Sequence, residues 1–197
     1  MGISKSTTSP RVAAFQIDFN AMIQTIERLK LDPNRLYGVV AAESVELLLI
    51  QREYDFEFDG YVAVRRRDIT RSYPSESNAY CEELMKKEGL WKRPTKASRT
   101  LPLTDWQTML TALIGKPVII ENERKGDFFI GPVIECDARS VAIHHFDACG
   151  NWGEIKRVAF RSITSVQFGS RYITVHSRHL TPRPNKAVKP SGGAGKF

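Results

Sequence analysis

Residues 117–136, PVIIENERKGDFFIGPVIEC, carry the clearest strand and turn signals in the chain. Both ends of the stretch are rich in Val, Ile and Phe, which favour extended backbone. Between them lies ERKG, in which Gly126 supplies the positive φ that a hairpin turn needs. The stretch therefore predicts two strands, Pro117–Asn122 and Asp127–Cys136, joined by a tight turn.

The sequence on either side of this hairpin adds a helix and three more strands. Thr104 and Gln107 form a capping box that begins the helix. Five apolar residues share one face of it: Trp106, Met109, Leu110, Leu113 and Ile114. Strands are predicted at 140–146, 154–160 and 164–168. Five strands from about fifty residues are too few for a sandwich, so we expect a small closed barrel with the helix over one end.

A weak internal repeat suggests that the same unit occurs twice. Gly38 and the apolar residues after it align with Gly131 and its followers. One residue later in register, Arg67-Asp-Ile-Thr70 aligns with Arg161-Ser-Ile-Thr164. Each copy then alternates strands and short turns. The repeat predicts a β-meander used two times.

The first copy departs from this pattern at its start. Three apolar residues share one helical face and predict an amphipathic helix: Met22, Ile26 and Leu29. The next strand already contains Gly38, which leaves no room for a first strand between them. Either this barrel has four strands, or residues 11–19, which alternate in hydropathy, provide the missing one. A further helix is predicted at 77–88.

The second copy resembles a known family. Residues 113–120, LIGKPVII, followed by Gly126, Gly131 and Asp137, resemble the first sequence motif of Sm and Sm-like proteins. That resemblance implies an N-terminal helix on a five-stranded, strongly bent SH3-type barrel. A glycine inside a strand has a physical reason there, because a sharply bent sheet needs a residue without Cβ at the corner. The tandem arrangement also resembles an uncharacterised family of bacterial two-barrel proteins.

The resemblance implies less about RNA binding than about fold. Sm-like proteins form rings that bind RNA through a polar loop after the Asp and through a late Arg-Gly element. In this sequence Asp137 is followed by Ala138-Arg139-Ser140, and the late element reads Phe168-Gly169-Ser170-Arg171. Because both elements differ from the family's residues, we expect the fold to carry over without the site.

The expected fold class is mainly β with α (α+β), as two small antiparallel Sm-like or SH3-like barrels, each with an associated helix. The expected domains are residues 1–90 with the first barrel, a basic linker at 91–103, a helix and second barrel at 104–180, and a disordered basic tail at 181–197. The tail carries four Lys or Arg residues among prolines and glycines, too little apolar surface to offset the entropy of ordering.

Composition restricts the cellular setting. The chain has 29 Lys and Arg against 22 Asp and Glu, a net charge of +7. No apolar run approaches the roughly 20 residues that a membrane span needs, so no membrane partner is expected. The three cysteines have no framework spacing, which predicts reduced thiols and the cytoplasm.

The binding candidates are basic and aromatic. Strand alternation places Arg65 and Arg67 with Tyr61 on one face, where they could hold a phosphate and stack on a base. The alternative is an outer face whose arginines pair with acidic neighbours such as Glu53 or Asp68. Eight residues are candidates for contacting nucleic acid or another partner: Tyr61, Arg65, Arg67, Lys92, Arg93, Arg139, Trp152 and Arg171.

Metal and catalytic motifs are weak. Cys136, His144, His145 and Cys149 are zinc-ligand types, but adjacent histidines on a strand face opposite ways, so no metal is expected. Residues 55–60 alternate carboxylates like a calcium loop, yet Arg66 stands where the twelfth ligand would be, so a hairpin loop with its phenylalanines turned inward is favoured. No nucleophile elbow or phosphate loop occurs, so we expect no catalytic residues and no cofactor.

Three functions follow from these observations. The first is a non-catalytic binding or scaffold protein whose partner is another protein or a copy of itself, because small barrels leave strand edges that invite pairing. The second is an RNA or single-stranded DNA binding protein. The third is a small-molecule enzyme, which a pocket holding Asp59, Arg67 and His144 together would favour.

Overall fold

The computed structural model describes residues 22–92 and 100–181, which form ten strands and three short helices. The strands are β1 (Gln24–Arg28), β2 (Asp32–Glu43), β3 (Leu47–Tyr54), β4 (Glu57–Arg65), β5 (Arg71–Tyr73), β6 (Pro117–Asn122), β7 (Asp127–Cys136), β8 (Ser140–Phe146), β9 (Trp152–Ala159) and β10 (Ser165–Phe168). The helices are α1 (Glu76–Lys87), α2 (Trp106–Thr111) and α3 (Arg171–Arg178). Short 3₁₀ turns, Arg66–Asp68 and Phe160–Ser162, precede β5 and β10.

All ten strands belong to one antiparallel sheet in the order β5-β1-β2-β3-β4-β10-β6-β7-β8-β9. The expectation of two closed barrels is therefore wrong. The sheet is open, and β4 and β10 join its two parts by backbone pairing in the register Tyr61↔Phe168 to Val64↔Ser165. The paired residues are about a hundred positions apart. Local sequence periodicity does not indicate such a pairing, so the sequence alone does not predict it.

The hydrophobic core also runs across the join. Leu49 and Ala63 from one side pack in the same buried cluster as Val118, Ile120 and Val166 from the other. An ion pair also links the two parts, since the two terminal nitrogens of Arg28 each donate to a Glu123 carboxylate oxygen at 2.6 Å. One large buried cluster is therefore shared between the two parts, where two separate cores were expected, and smaller buried clusters lie within each part.

The repeat seen in the sequence survives as a repeat of topology. We call β1–β5 the first half and β6–β10 the second half. Their strand orders, β5-β1-β2-β3-β4 and β10-β6-β7-β8-β9, correspond one to one. The Thr70 N–H donates to the Glu27 carbonyl at 2.7 Å, and the aligned Thr164 N–H donates to Glu121 at 2.9 Å.

The two aligned glycines lie where strands cross at close range. A Cβ on Gly38 would lie 2.1 Å from the Gln51 carbonyl oxygen, and one on Gly131 would lie 2.0 Å from the His144 carbonyl oxygen. No real Cβ comes that close to backbone, so each position admits only glycine without a shift of the neighbouring strand.

The amphipathic helix expected around Met22, Ile26 and Leu29 is wrong. Residues 24–28 form strand β1, which pairs with β2 on one side and β5 on the other. The helical spacing rests on only three apolar residues. The hydrogen bonds that β1 makes to a strand on each side outweigh this weak local preference. The first half thus has its fifth strand without residues 11–19.

The other elements lie close to expectation. Helix α1 begins one residue before the predicted 77–88, after Ser75, whose hydroxyl accepts the Asn78 N–H. Helix α2 is capped by Asp105 and not by Thr104, and the Asp105 carboxylate accepts the Thr108 N–H at 2.7 Å. It is shorter than expected, since it ends at Thr111, so Leu113 and Ile114 lie beyond it, and Ile114 is 48% exposed. Helix α3 was not predicted. No helix among the described residues is long and apolar enough to cross a membrane.

Several expectations concern residues outside the described part of the chain. They are the strand at 11–19, most of the basic linker including Arg93, and the basic tail from residue 182 onward.

Candidate functional site

The junction between β4 and β10 gathers several of the predicted residues. Tyr61 stacks on Phe168 with ring centroids 5.5 Å apart, across the two paired strands. Arg52 donates to the Gln167 side-chain oxygen at 3.3 Å beside them. Tyr61 is therefore engaged in holding the halves together, which is neither of the roles weighed for it from the sequence.

Arg65 lies inside the junction and is 8% exposed. Its guanidinium donates to the carbonyl oxygens of Ile163 and Phe160, both at 2.5 Å, and its carbon lies 5.6 Å from the Trp106 ring centroid. Burial lowers the pKa of this guanidinium, and the nearby charge of Arg67 lowers it further. Arg65 thus binds backbone of the second half and is not a free surface cation.

Arg67 does not share a strand face with Arg65, because β4 ends at Arg65 and the next three residues form a 3₁₀ turn. The exposed Arg67 lines an open pocket of about 350 Å³ at the junction. Arg161, its aligned residue in the second half, lines the same pocket. Trp106 contributes a wall, and its indole N–H has no hydrogen-bond acceptor among the described residues.

The pocket is only mildly basic. Its lining also includes Glu46 and Asp105, and the latter is held by its helix-capping bond. Two exposed arginines, Arg67 and Arg161, therefore face two carboxylates across a wall formed by the Trp106 ring, while Arg65 is held by backbone carbonyl oxygens. Such a set could accept a phosphate group between Arg67 and Arg161 and a flat ring against the apolar wall.

The remaining predicted residues are scattered. The Trp152 indole donates to the Thr181 carbonyl at 2.9 Å and packs on Phe146, with ring centroids 6.0 Å apart. Arg139 is exposed in the β7–β8 turn, and Lys92 is exposed after α1. Arg171 begins α3. None of these four side chains lines the junction pocket with Arg67, although Ala138, the neighbour of Arg139, does.

The zinc-type residues are not gathered either. Within residues 22–92 and 100–181, no three His, Cys, Asp or Glu side chains are grouped closely enough to hold a metal ion. His144 packs on Trp152 at 4.5 Å between centroids, whereas the His145 Nδ1 lies 3.1 Å from the Ile130 carbonyl oxygen. Burial raises the pKa of the Cys136 thiol, which disfavours the thiolate that metals bind.

The three residues of the enzyme hypothesis line separate places. Asp59 accepts the Arg171 backbone N–H at 2.5 Å, Arg67 lines the junction pocket, and His144 lies against Trp152. The calcium-like segment is a hairpin turn, with Asp55 and Phe56 at φ values of 52° and 63°. Phe56 is 42% exposed, so that phenylalanine does not turn fully inward.

The two ends of the sheet form the second candidate site. Strand β5 pairs only with β1, and β9 pairs only with β8, so each has an outer edge with no strand partner in the described part of the chain. On β9 the exposed residues include Ile155, which is 59% exposed, and Arg157. Unpaired N–H and C=O groups on such edges are ready to pair with another strand.

Comparison with family models, with curated proteins and with solved structures finds no match to this chain.

Sequence reasoning missed the residues that complete the junction. Trp106 was assigned to a helix face, and its position against Arg65 depends on contacts distant in sequence. Arg161 could have been found, because the repeat already aligned it with Arg67. Helix α3 also left a signal, since Ser170 is a good N-cap three residues before the buried Ile173.

Proposed function

We propose that this chain is a non-catalytic binding protein that associates with further copies of itself through the two end strands of its sheet. The observation that carries the proposal is the repeated strand order, in which β9 is the counterpart of β4 and β5 is the counterpart of β10. Because β4 and β10 pair inside one chain, their counterparts β9 and β5 can pair between two chains.

The internal pairing gives the expected register. The aligned 3₁₀ turns place Val64 and Val158 at equivalent positions, and Ser165 and Arg71 likewise. The internal pair Val64↔Ser165 therefore corresponds to Val158 of one copy against Arg71 of another. Such an interface joins two different surfaces, so repetition gives a closed ring or an open filament.

The expected contact is weaker than the internal one. Ala159 stands where Arg65 clamps the internal junction, and β5 has three residues followed by Pro74. Lys156 and Arg157 add charge to the edge of β9, a common way of limiting edge pairing. We therefore expect weak association with a dissociation constant of about 10⁻⁵ M, so that the assembly forms only at tens of micromolar protein or above.

Light scattering coupled to size-exclusion chromatography tests this association. Lys156→Pro and Arg157→Pro are compared with Lys156→Ala and Arg157→Ala, which keep the backbone N–H. Because N–H groups alternate in direction along an antiparallel strand, one proline removes an outward N–H and the other removes a bond to β8.

The proline that removes the outward group should reduce the mass to that of a single chain and leave the far-UV circular dichroism unchanged. The alanine variants should associate at least as strongly as the wild type, because they keep the backbone N–H and remove only an edge charge. A wild type that stays a single chain up to about 1 mM, far above the expected range, would refute self-association.

A second candidate function is binding of single-stranded nucleic acid at the junction pocket. The observation that favours it is the placement of the exposed Arg67 and Arg161 on one pocket with the ring of Trp106. Fluorescence anisotropy with a mixed-sequence oligonucleotide measures the affinity. Arg67→Ala combined with Arg161→Ala should weaken it about tenfold and reduce its salt dependence. Affinity that is absent in the wild type, or unchanged in the variant, would reject this candidate.

A further inference from the structure

An open groove of about 530 Å³ lies between the β3–β4 turn and helix α3, and it uses neither end strand of the sheet. Its walls expose apolar surface at three residues: Tyr54 (66% exposed), Tyr172 (47%) and Val175 (46%). Phe56, at the turn beside the groove, is 42% exposed. Large apolar side chains that are exposed next to each other often mark a surface that binds a partner.

The rim of the groove is acidic. Three carboxylates line it, from Asp55, Glu57 and Asp59, against one guanidinium, from Arg171. The Asp59 carboxylate also accepts the Arg171 backbone N–H at 2.5 Å, which fixes the start of α3 beside the hairpin. This charge is opposite to the net +7 of the whole sequence.

The two walls of the groove are held close. A Cβ on Gly60 would lie 2.5 Å from the Ser170 backbone nitrogen, so the hairpin and the start of α3 approach as near as glycine allows. The turn itself is fixed by the Glu53 carboxylate, which accepts the Phe56 N–H at 2.9 Å. The groove is therefore formed before anything binds in it.

We propose that this groove binds the basic segment of the same chain, residues 182–197. That segment contains no Asp or Glu and has four cationic side chains: Arg183, Lys186, Lys189 and Lys196. Lysine and arginine side chains suit a groove with carboxylates on its rim and tyrosine rings on its walls, through ion pairs and cation–π contacts.

The segment starts within reach of the groove. Thr181 is held in place, because its N–H donates to the Gly150 carbonyl at 3.0 Å and its own carbonyl accepts from Trp152. Helix α3 rises about 11 Å from Arg171 to Arg178, and the three residues after it add at most about 10 Å, so Thr181 lies within about 21 Å of the groove residues at the helix start. Lys186 and Lys189 follow Thr181 by five and eight residues, which span about 17 and 26 Å when extended, so both side chains can reach the carboxylates.

A full-length variant with the four cations replaced by Gln leaves the groove open and allows a direct measurement. The probe is a labelled synthetic peptide of residues 182–197, and its affinity is measured by fluorescence anisotropy at low salt. We expect the neutralised variant to bind the peptide at least about fivefold more tightly than the wild type, whose own segment competes at high effective concentration. Adding Asp55→Asn and Glu57→Gln to that variant should weaken binding about fivefold or more.

Glu83→Gln with Glu88→Gln is the matched control, because it removes two exposed carboxylates from α1 and its end. It should leave the peptide affinity within about twofold of the neutralised variant. The proposal is overturned if the neutralised variant does not bind the peptide, if it binds no better than the wild type, or if the groove substitutions act no more strongly than the control. None of these results depends on whether the chain self-associates.

Discussion

Strands β4 and β9 hold the same place in the two halves, but β4 is paired on both edges and β9 ends the sheet. On β4, Val62 and Val64 pack in one buried cluster and Ala63 in another, so both faces are covered. At the equivalent positions β9 has Lys156, Arg157 and Val158, of which only Val158 is buried.

The same strand pattern is thus used at an inner and at an outer position of the sheet. A strand inside the sheet needs small or apolar side chains on both faces, whereas a strand at the end keeps one face polar and its outer backbone open. Arg65 adds a clamp at the end of β4 that β9, with Ala159, lacks. A few side chains thus distinguish β4, which is paired on both edges, from β9, and substitutions at these positions can test their roles.

The largest effect should come from giving the covered strand the residue of the open one. Ala63 is 0% exposed, so Ala63→Arg buries a charge without a partner. We expect it to lower the free energy of unfolding by about 4 kcal/mol or more, as measured by urea unfolding. The reverse change, Arg157→Ala, should cost under about 1 kcal/mol because it removes only exposed ion pairs. Similar losses in both variants would break the comparison.

The aligned glycines should respond alike in the two halves. Gly38→Ala and Gly131→Ala each place a Cβ about 2 Å from a carbonyl oxygen of the adjacent strand. We expect each to lower the free energy of unfolding by about 3 kcal/mol, since backbone must shift. Gly153→Ala is the control, because its Cβ would meet only ordinary contacts from 3.5 Å. A large loss in one half and none in the other would contradict their structural equivalence.

The arginine clamp should matter less than the glycines but more than its neighbour. Arg65→Ala leaves the carbonyl oxygens of the buried Ile163 and the half-buried Phe160 without this donor and removes packing from Trp106. The expected loss in free energy of unfolding is about 2 kcal/mol. Arg66→Ala, which removes an exposed ion pair with Glu43, should cost under about 1 kcal/mol. Equal effects at the two positions would show that Arg65 does not hold the halves together.

The smallest expected effect concerns two equivalent turns that differ in one side chain. Ser44 accepts the N–H groups of Glu46 and Leu47 in the first half, and Asp137 accepts those of Arg139 and Ser140 in the second. Hydrogen bonds from the Ser140 hydroxyl and the Arg139 N–H lower the pKa of Asp137 to about 2.

Because this pKa lies below the unfolded value near 3.9, the Asp137 carboxylate contributes its full stabilisation above about pH 4 and loses it as the pH falls towards 2. Asp137→Ser copies the first half and removes the titrating group. Between pH 5 and 2, thermal unfolding of this variant should depend on pH less steeply than that of the wild type. Identical pH dependence would mean that Asp137 is not held as the structure has it.

The sequence predicted the second half well because its signals are local. The strands Pro117–Asn122, Asp127–Cys136 and Ser140–Phe146 lie where alternation, turn glycines and β-branched residues placed them. The sequence does not predict strand β1, because three apolar residues at helical spacing outweigh a short extended pattern. Its hairpin with β2 is local, but its second partner, β5, lies more than forty residues further along the chain.

The site was less accessible for the same reason. Simple alternation assigned Arg65 to an outer face, since nothing near it in sequence shows that Ile163 and Phe160 cover it. The open sheet likewise depends on the β4–β10 ladder, which only the three-dimensional structure reveals. The repeat, however, was readable from the sequence, and it now identifies the two end strands as counterparts of the joined pair.

Site-specific disulfide trapping can show whether β5 of one copy pairs with β9 of another. In a Cys149→Ser background, the single variants Ser72→Cys and Arg157→Cys are mixed and oxidised, because the expected register places residues 72 and 157 of two copies opposite each other, as Val166 lies opposite Ala63 within one chain. Directly paired residues meet the Cα separation of a disulfide, about 4.4–6.8 Å, whereas a partner two residues away does not. The account predicts a cross-linked dimer from Ser72→Cys with Arg157→Cys and little from Ser72→Cys with Ile155→Cys. Equal cross-linking in both mixtures, or none in either, would contradict it.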